Sequence, residues 1–259
     1  MDRLYRIDYR GAVQHAVERD GVLHQLSGEF FGAYTAGAAI VGGLGASGLR
    51  VLAPVTPSKI VCVGLNYKDH AAETGRPLPP EPLLFIKPAS AVIGPGDPIR
   101  LPPRVGRVDH EAELGVVIGM RAHRVPRAKA WDYIRGIICV NDVTARDLQN
   151  KESQFTRCKG FDTFAPIGPC VAVVPAGASG EPRGVEGWVN EERRQASSTK
   201  HLIFPIAQLV EFVTFVMTLE PGDIISTGTP EGIGPIAAGD TVTIKVEGVG
   251  ELSNPVQNE

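Results

Sequence analysis

The chain has 259 residues, of which 30 are Gly and 21 are Pro. These two types, about a fifth of the chain, interrupt helix interiors and so exclude a coiled coil or a simple helical bundle. Hydrophobic residues make up 43% and charged residues 21%, a globular composition and not a disordered one. A net charge of −3 and an aromatic content of 6% argue against nucleic acid as a partner. The opening Met1-Asp2-Arg3-Leu4-Tyr5-Arg6 has no apolar signal core. No apolar run approaches the roughly 18 residues of a membrane span. A cytoplasmic protein without membrane contact is expected. Cys62, Cys139, Cys158 and Cys170 form no C-x-x-C pair and read as buried free thiols.

In chain order, residues 1–53 read as a small N-terminal β domain. Segments 4–9 and 12–17 alternate as strands, and Asp20-Gly21 fits a hairpin turn. A Gly/Ala-rich stretch follows over 37–48. Ala53-Pro54-Val55-Thr56-Pro57 reads as a hinge into a body over 54–259. There, segments 60–64, 83–86, 114–118 and 137–140 are short, apolar and bounded by Pro or Gly, which predicts buried strands. Two helices are predicted, over 127–135 and 205–219, the second opening on Pro205 and stopping before Pro221-Gly222. Segment 241–246 alternates as a strand. The sum is α+β and strand-rich.

Gly43-Leu44-Gly45-Ala46-Ser47-Gly48 matches G-x-G-x-x-G, and Asp69 lies where a ribose-binding carboxylate would stand. The context fails, because such a loop must open a helix and Pro54 and Pro57 prevent one. The stretch is expected to be a connector.

The sharpest chemical signal is Asp109-His110-Glu111-Ala112-Glu113-Leu114-Gly115. Residues two apart in a strand share a face, so Glu111 and Glu113 point the same way. Alone, such a pair also fits the solvated end of a strand. Asp142 shifts that balance, since it closes the apolar run 137–140. Three carboxylates without His or Cys form a hard oxygen site, suited to Mg²⁺, with Mn²⁺ or Ca²⁺ as alternatives, and not to zinc.

Further along the same argument, Asn66 is placed to cap a short helix on which His70 and Glu73, three apart, can meet. A carboxylate raises and orients an imidazole base. A solvated surface pair fits the same spacing. The following loop, 74–82, has the length and composition of a lid. Lys159 lies in a turn with Gly160, and the loop 226–235 offers Thr and Gly donors. Both fit either a carboxylate-binding role or plain turn chemistry.

Taken together and in this order, these segments resemble the fumarylacetoacetate hydrolase family. The resemblance rests on Gly64-Leu65-Asn66-Tyr67 with Asp69, His70 and Glu73, and on Phe85-Ile86-Lys87-Pro88. It continues through His110-Glu111-Ala112-Glu113-Leu114-Gly115, Asn141-Asp142-Val143-Thr144-Ala145-Arg146-Asp147 with Gln149, Lys159-Gly160-Phe161-Asp162-Thr163, and Thr227-Gly228-Thr229-Pro230-Glu231-Gly232. It spans residues 57–250.

The resemblance implies a mixed β-roll core and a Mg²⁺ or Mn²⁺ ion on Glu111, Glu113 and Asp142. It implies a water-activating pair, His70 and Glu73, on a lid helix, and an active-site lysine, Lys159. Gln149 and Thr229 match substrate contacts, and Arg146 matches a position beside the site. Homodimers are usual in the family. The expected activity is on small 2-oxo or enol carboxylic acids by enolate stabilisation. The leading expectation is a 2-hydroxyhepta-2,4-diene-1,7-dioate isomerase, with the associated 5-oxopent-3-ene-1,2,5-tricarboxylate decarboxylation, in aromatic catabolism. Acylpyruvate C–C hydrolysis and oxaloacetate decarboxylation are the alternatives within the family. A non-catalytic ligand-binding protein on the same fold is the alternative of another class.

Overall fold

The computed structural model describes every residue from 1 to 259 except Thr74, Arg76 and Ala176. Strands dominate, as the short apolar runs predict. The largest sheet runs from Tyr34–Ala39 through Val22–Gly28, Ala12–Arg19 and Arg3–Tyr9 to Ala165–Val173. It continues through Ile134–Asn141, Ala112–Ile118, Ile224–Ser226 and Lys59–Gly64 to an edge at Leu83–Pro88. A second sheet orders Glu192–Ser198, Gly184–Val189, Thr241–Val246, Gly250–Asn258 and Ile99–Leu101. A three-stranded patch joins Thr144–Ala145, Val108–His110 and Gly234–Pro235.

The central strands are buried on both faces, which is why they read as unbroken apolar runs. Ile60, Cys62, Val117, Ile138, Val140 and Ile224 fill one face. Val61, Val63, Leu114, Val116, Ile137 and Cys139 fill the other. This alternation places Ala112, Leu114 and Val116 together and turns Glu113 the opposite way. All four cysteines are free and buried.

The N-terminal strands are continuous with the large sheet, through Arg3 against Ala172 and Leu4 against Val171. Asp20 and Gly21 both have positive φ, 52° and 79°, the geometry of a tight hairpin turn between Arg19 and Val22. The Gly/Ala-rich stretch is more structured than its composition suggests. Its first part ends the strand Tyr34–Ala39, which pairs with Val22–Gly28. Gly43–Gly45 forms one 3₁₀ turn, and the chain then enters the strand Leu49–Val51 against Ile7–Tyr9. No helix follows the G-x-G-x-x-G sequence, as its flanking prolines require.

The helix α1 (Lys68–Glu73) follows the strand Lys59–Gly64. Two short helices, α2 (Arg146–Gln149) and α3 (Thr156–Lys159), follow the strand Thr144–Ala145 and bracket the loop 150–155. The helix α4 (Ile206–Val216) starts after Pro205, as its spacing predicts. It ends at Val216 because Leu219 is claimed by Ala122, each backbone N–H donating to the other's carbonyl at 2.9 Å. The helix expected over 127–135 is corrected. Arg127–Tyr133 forms 3₁₀ turns, and Ile134 already begins a strand. The Tyr133 carbonyl accepts from Gly119 N–H, so strand pairing captures the segment before an α-helix can extend.

Candidate metal centre and active site

The acid cluster is assembled by strand register. Ala112 pairs with Asn141, which sets Glu111 and Glu113 beside Asp142. Two further bonds fix the junction: Asp142 N–H donates to Glu111 O at 2.9 Å, and Glu111 N–H donates to Asn141 Oδ1 at 3.0 Å. One oxygen from each of Glu111, Glu113 and Asp142 lies within 4.8 Å of the others, and all three side chains are buried. The set is all-oxygen and closely spaced, as a hard divalent cation requires.

The strand Ile224–Ser226 and the loop after it grip Glu113. Ser226 Oγ donates to Glu113 Oε2, and Gly228 N–H donates to the same oxygen at 2.9 Å. Gly228 has φ 95°, and a Cβ there would stand 2.8 Å from Asn66 Cβ, so glycine is required at this turn. Burial and the neighbouring charges of Asp142 and Glu111 push the Glu113 carboxyl up to about 8. The cluster is therefore short of positive charge at Glu113, and a divalent cation would relieve that shortage.

The other two acids are compensated. Lys159 Nζ donates to Glu111 Oε2 at 2.8 Å and to Asp142 Oδ2 at 2.5 Å. Burial alone would lower the Lys159 pKa, but Asp142 and Glu111 outweigh it and push it upward. Arg146 donates from Nη2 to Glu111 Oε1 and from Nε to Asp109 Oδ2, the latter at 2.8 Å. Burial opposes the charged Glu111, yet the charges of Lys159 and Arg146 hold it far below the usual carboxylate range.

These acids and bases line a cavity of about 250 Å³ together with His70, Gln149 and Thr229. Leu65, Leu83, Phe85, Phe155 and Ile233 form its apolar wall. Glu73 does not line it but completes the pair predicted from the sequence. Its Oε2 lies 2.9 Å from His70 Nδ1, and its Oε1 accepts Gly232 N–H at 3.1 Å. A carboxylate can only accept, so Nδ1 carries the proton in this contact. Of the loop 74–82 expected as a lid, Thr74 and Arg76 lie outside the described residues.

Three details refine the sequence-based picture. Asn66 does not cap α1. Its side chain instead bridges Phe204, through both N–H and carbonyl, and the Thr227 carbonyl, tying the 226–229 loop to the segment before α4. Thr229 lines the cavity, but its hydroxyl donates to Ala112 O at 3.0 Å and accepts from Gln195 Nε2 at 2.8 Å. Gln149 accepts from Arg146 Nη1 through its carbonyl oxygen, which leaves the NH₂ end of the amide as a donor.

Two groups at the site were not singled out as functional from the sequence. Lys87 is fully buried, and its Nζ donates to Asp142 Oδ1 at 2.6 Å and to Val143 O at 3.0 Å. A lysine inside an otherwise apolar strand is the signal, because such a charge requires a buried partner. Asp109, also buried, joins Arg146 to Arg107, whose Nε and Nη2 reach it at 2.6 and 3.1 Å.

Comparison with known proteins agrees with this geometry. Residues 59–257 match the family model of the fumarylacetoacetate (FAA) hydrolase C-terminal domain. An uncharacterized protein of Archaeoglobus fulgidus is 52% identical over 80% of this chain and 81% of its own length. Oxaloacetate tautomerase fahd2, mitochondrial, of Xenopus laevis is 39% identical over 82% of this chain and 70% of its own. Among solved structures, 2-hydroxyhepta-2,4-diene-1,7-dioate isomerase from Mycobacterium marinum superposes with a TM-score of 0.88 at 38% identity, covering 100% of this chain and 99% of that one. Maleylpyruvate hydrolase from Sphingobium sp. SYK-6, in complex with manganese(II) and pyruvate, gives 0.80 at 28% identity, covering 99% of each chain. The family match over most of the chain, together with these full-length likenesses, makes this protein a member of the fumarylacetoacetate hydrolase family of enzymes.

Proposed function

We propose that the chain is a divalent-metal-dependent enzyme acting on small 2-oxo or enol carboxylic acids, with Glu111, Glu113 and Asp142 as the metal ligands. The observation that carries this reading is the buried all-carboxylate triad opening onto a cavity lined by Lys159, Arg146 and His70. Mg²⁺ fits the donor set, with Mn²⁺ as the alternative. The bound cation would stabilise negative charge developing on an enolate.

The chain's own residues account for the rest. Arg146 and Lys159 orient Glu111 and Asp142 and hold positive charge beside the acid triad. The apolar wall limits water. His70, oriented by Glu73, is the base. In an isomerase it moves a proton between substrate carbons. The leading reading is isomerisation of the 2-hydroxyhepta-2,4-diene-1,7-dioate type, with the associated decarboxylation needing no attacking water. The likeness to the Mycobacterium marinum isomerase supports it.

The second reading is acylpyruvate C–C hydrolysis. It is favoured by the His70–Glu73 contact, because a positioned base can deprotonate water for attack on the distal carbonyl. The deciding experiment is a product-identified substrate panel run with Mg²⁺ and after complete chelation by EDTA. Activity on a 2-oxo or enol acid that disappears with the metal supports the proposal. Turnover that survives full metal removal overturns it, and absence of Mg²⁺ and Mn²⁺ binding favours a non-catalytic binding protein.

A further inference from the structure

We infer that Arg107 is the specificity-determining residue of this cavity, receiving the far carboxylate of a dicarboxylic 2-oxo acid at the cavity mouth. The inference rests on the reading of the cavity as a 2-oxo acid site. Three ion pairs in series lead outward from the acid triad: Glu111 to Arg146, Arg146 to Asp109, and Asp109 to Arg107. Side-chain exposure is 7% at Glu111, 16% at Arg146 and 48% at Arg107, so the series runs from the core to solvent. Arg107 lines the cavity but is separated from the triad by the buried Asp109.

Its backbone is fixed. Arg107 N–H donates to Asp147 Oδ2 at 3.1 Å, and its carbonyl accepts Arg146 N–H at 2.8 Å. A guanidinium has five N–H donors, and Asp109 engages it through only two nitrogens. Donors therefore remain for a second carboxylate, held on a preorganised arm. The apolar lining residues Leu65, Leu83, Phe85, Phe155 and Ile233 suit a hydrocarbon spacer and offer no charge.

Charge at Arg107 supports the same ligand: its side chain meets a single carboxylate, Asp109, through two of its nitrogens, and a monocarboxylic 2-oxo acid brings no anion to the donors that remain.

The test is calorimetric titration of the Mg²⁺-loaded full chain with 2-oxoadipate and with 2-oxohexanoate, which share a chain length and differ in the distal carboxylate. Wild type is expected to prefer 2-oxoadipate by about tenfold or more, as a charge-assisted pair allows. Arg107→Gln removes the preference by weakening 2-oxoadipate alone, with Mg²⁺ affinity unchanged, and Arg107→Lys restores part of it. A preference that persists in Arg107→Gln overturns the assignment while leaving the 2-oxo acid reading intact. Equal weakening of both ligands also overturns it, since Arg107 would then act by holding Asp109. Failure of wild type to bind either ligand overturns the underlying reading of the site.

Discussion

Lys87 Nζ lies 2.6 Å from Asp142 Oδ1, and both side chains are almost wholly enclosed, so one acid of the triad is neutralised from the core side independently of any ligand. Lys159 occupies the other oxygen of the same carboxylate. Removing Lys87 leaves a buried charge with less compensation, and breaking such a pair costs about 3–5 kcal/mol. Lys87→Met is expected to lower unfolding stability by that amount in urea denaturation. An unchanged urea midpoint would show that Lys159 alone suffices for Asp142.

Glu113 supplies a pH signature. Its carboxyl is pushed up to about 8 in the metal-free site, from its usual 4.5, by burial and then by Asp142. A folded-state pKa raised above the unfolded value contributes stability below the unfolded pKa and loses it as pH rises through the folded one. The metal-free protein is therefore expected to lose stability from the Glu113 contribution between about pH 4.5 and about pH 8. Mn²⁺ binding should release a proton and tighten across the same window, with the pH dependence abolished in Glu113→Gln. Calorimetry in buffers of different ionisation enthalpy reads the proton directly, and a pH-independent affinity in wild type would contradict the prediction.

The His70–Glu73 pair separates the two catalytic readings. His70→Ala removes the proposed base without altering any carboxylate of the triad, so Mn²⁺ affinity should stay at the wild-type value. If hydrolysis is the reaction, its rate should fall by about 10²–10⁴-fold. A variant that hydrolyses acylpyruvates at the wild-type rate would remove the pair from the mechanism.

Asp223 gives a stability prediction away from the cavity. It accepts from Ser58 N–H and Oγ, from Lys59 N–H and Nζ, and from Glu220 N–H, clasping the strands Lys59–Gly64 and Ile224–Ser226 at their shared end. Burial would raise its pKa, but the Glu220 N–H, Lys59 and Ser58 together hold it below the usual 3.8. A depressed pKa contributes stability above the unfolded value, lost as pH falls through the folded one. Asp223→Ala should cost about 2–4 kcal/mol at neutral pH and less below pH 3.8. Equal destabilisation at both pH values would argue that its charge is irrelevant.

Much of the site is legible in the sequence because its chemistry is written locally. Glu111 and Glu113 stand out as a pair two apart, although Glu111 lies between the strands Val108–His110 and Ala112–Ile118 and not within one, and His70 with Glu73 follow from the helical spacing of three. Asp142 stands out at the end of an apolar run. Lys87, Asp109 and Asn66 are not legible in the same way, because their roles depend on partners far along the chain: Asp142 and Val143, Arg146, and Phe204 with Thr227. The same holds for structure. The helix Ile206–Val216 is set by its own periodicity, whereas Arg127–Tyr133 yields to pairing that begins at Ile134. The strand Tyr34–Ala39 is hidden in a Gly/Ala-rich stretch and is defined by its neighbour Val22–Gly28.

The grip of Ser226 and Gly228 on Glu113 has a consequence for biosynthesis. The strand Ile224–Ser226 lies between Ala112–Ile118 and Lys59–Gly64 in the sheet, yet follows both by more than a hundred residues. A nascent chain that has emerged only as far as Lys159 carries all three acids and both lysines, but the slot between those two strands is still open. The groups that fix Glu113 are thus synthesised last, on a strand that pairs between two made much earlier.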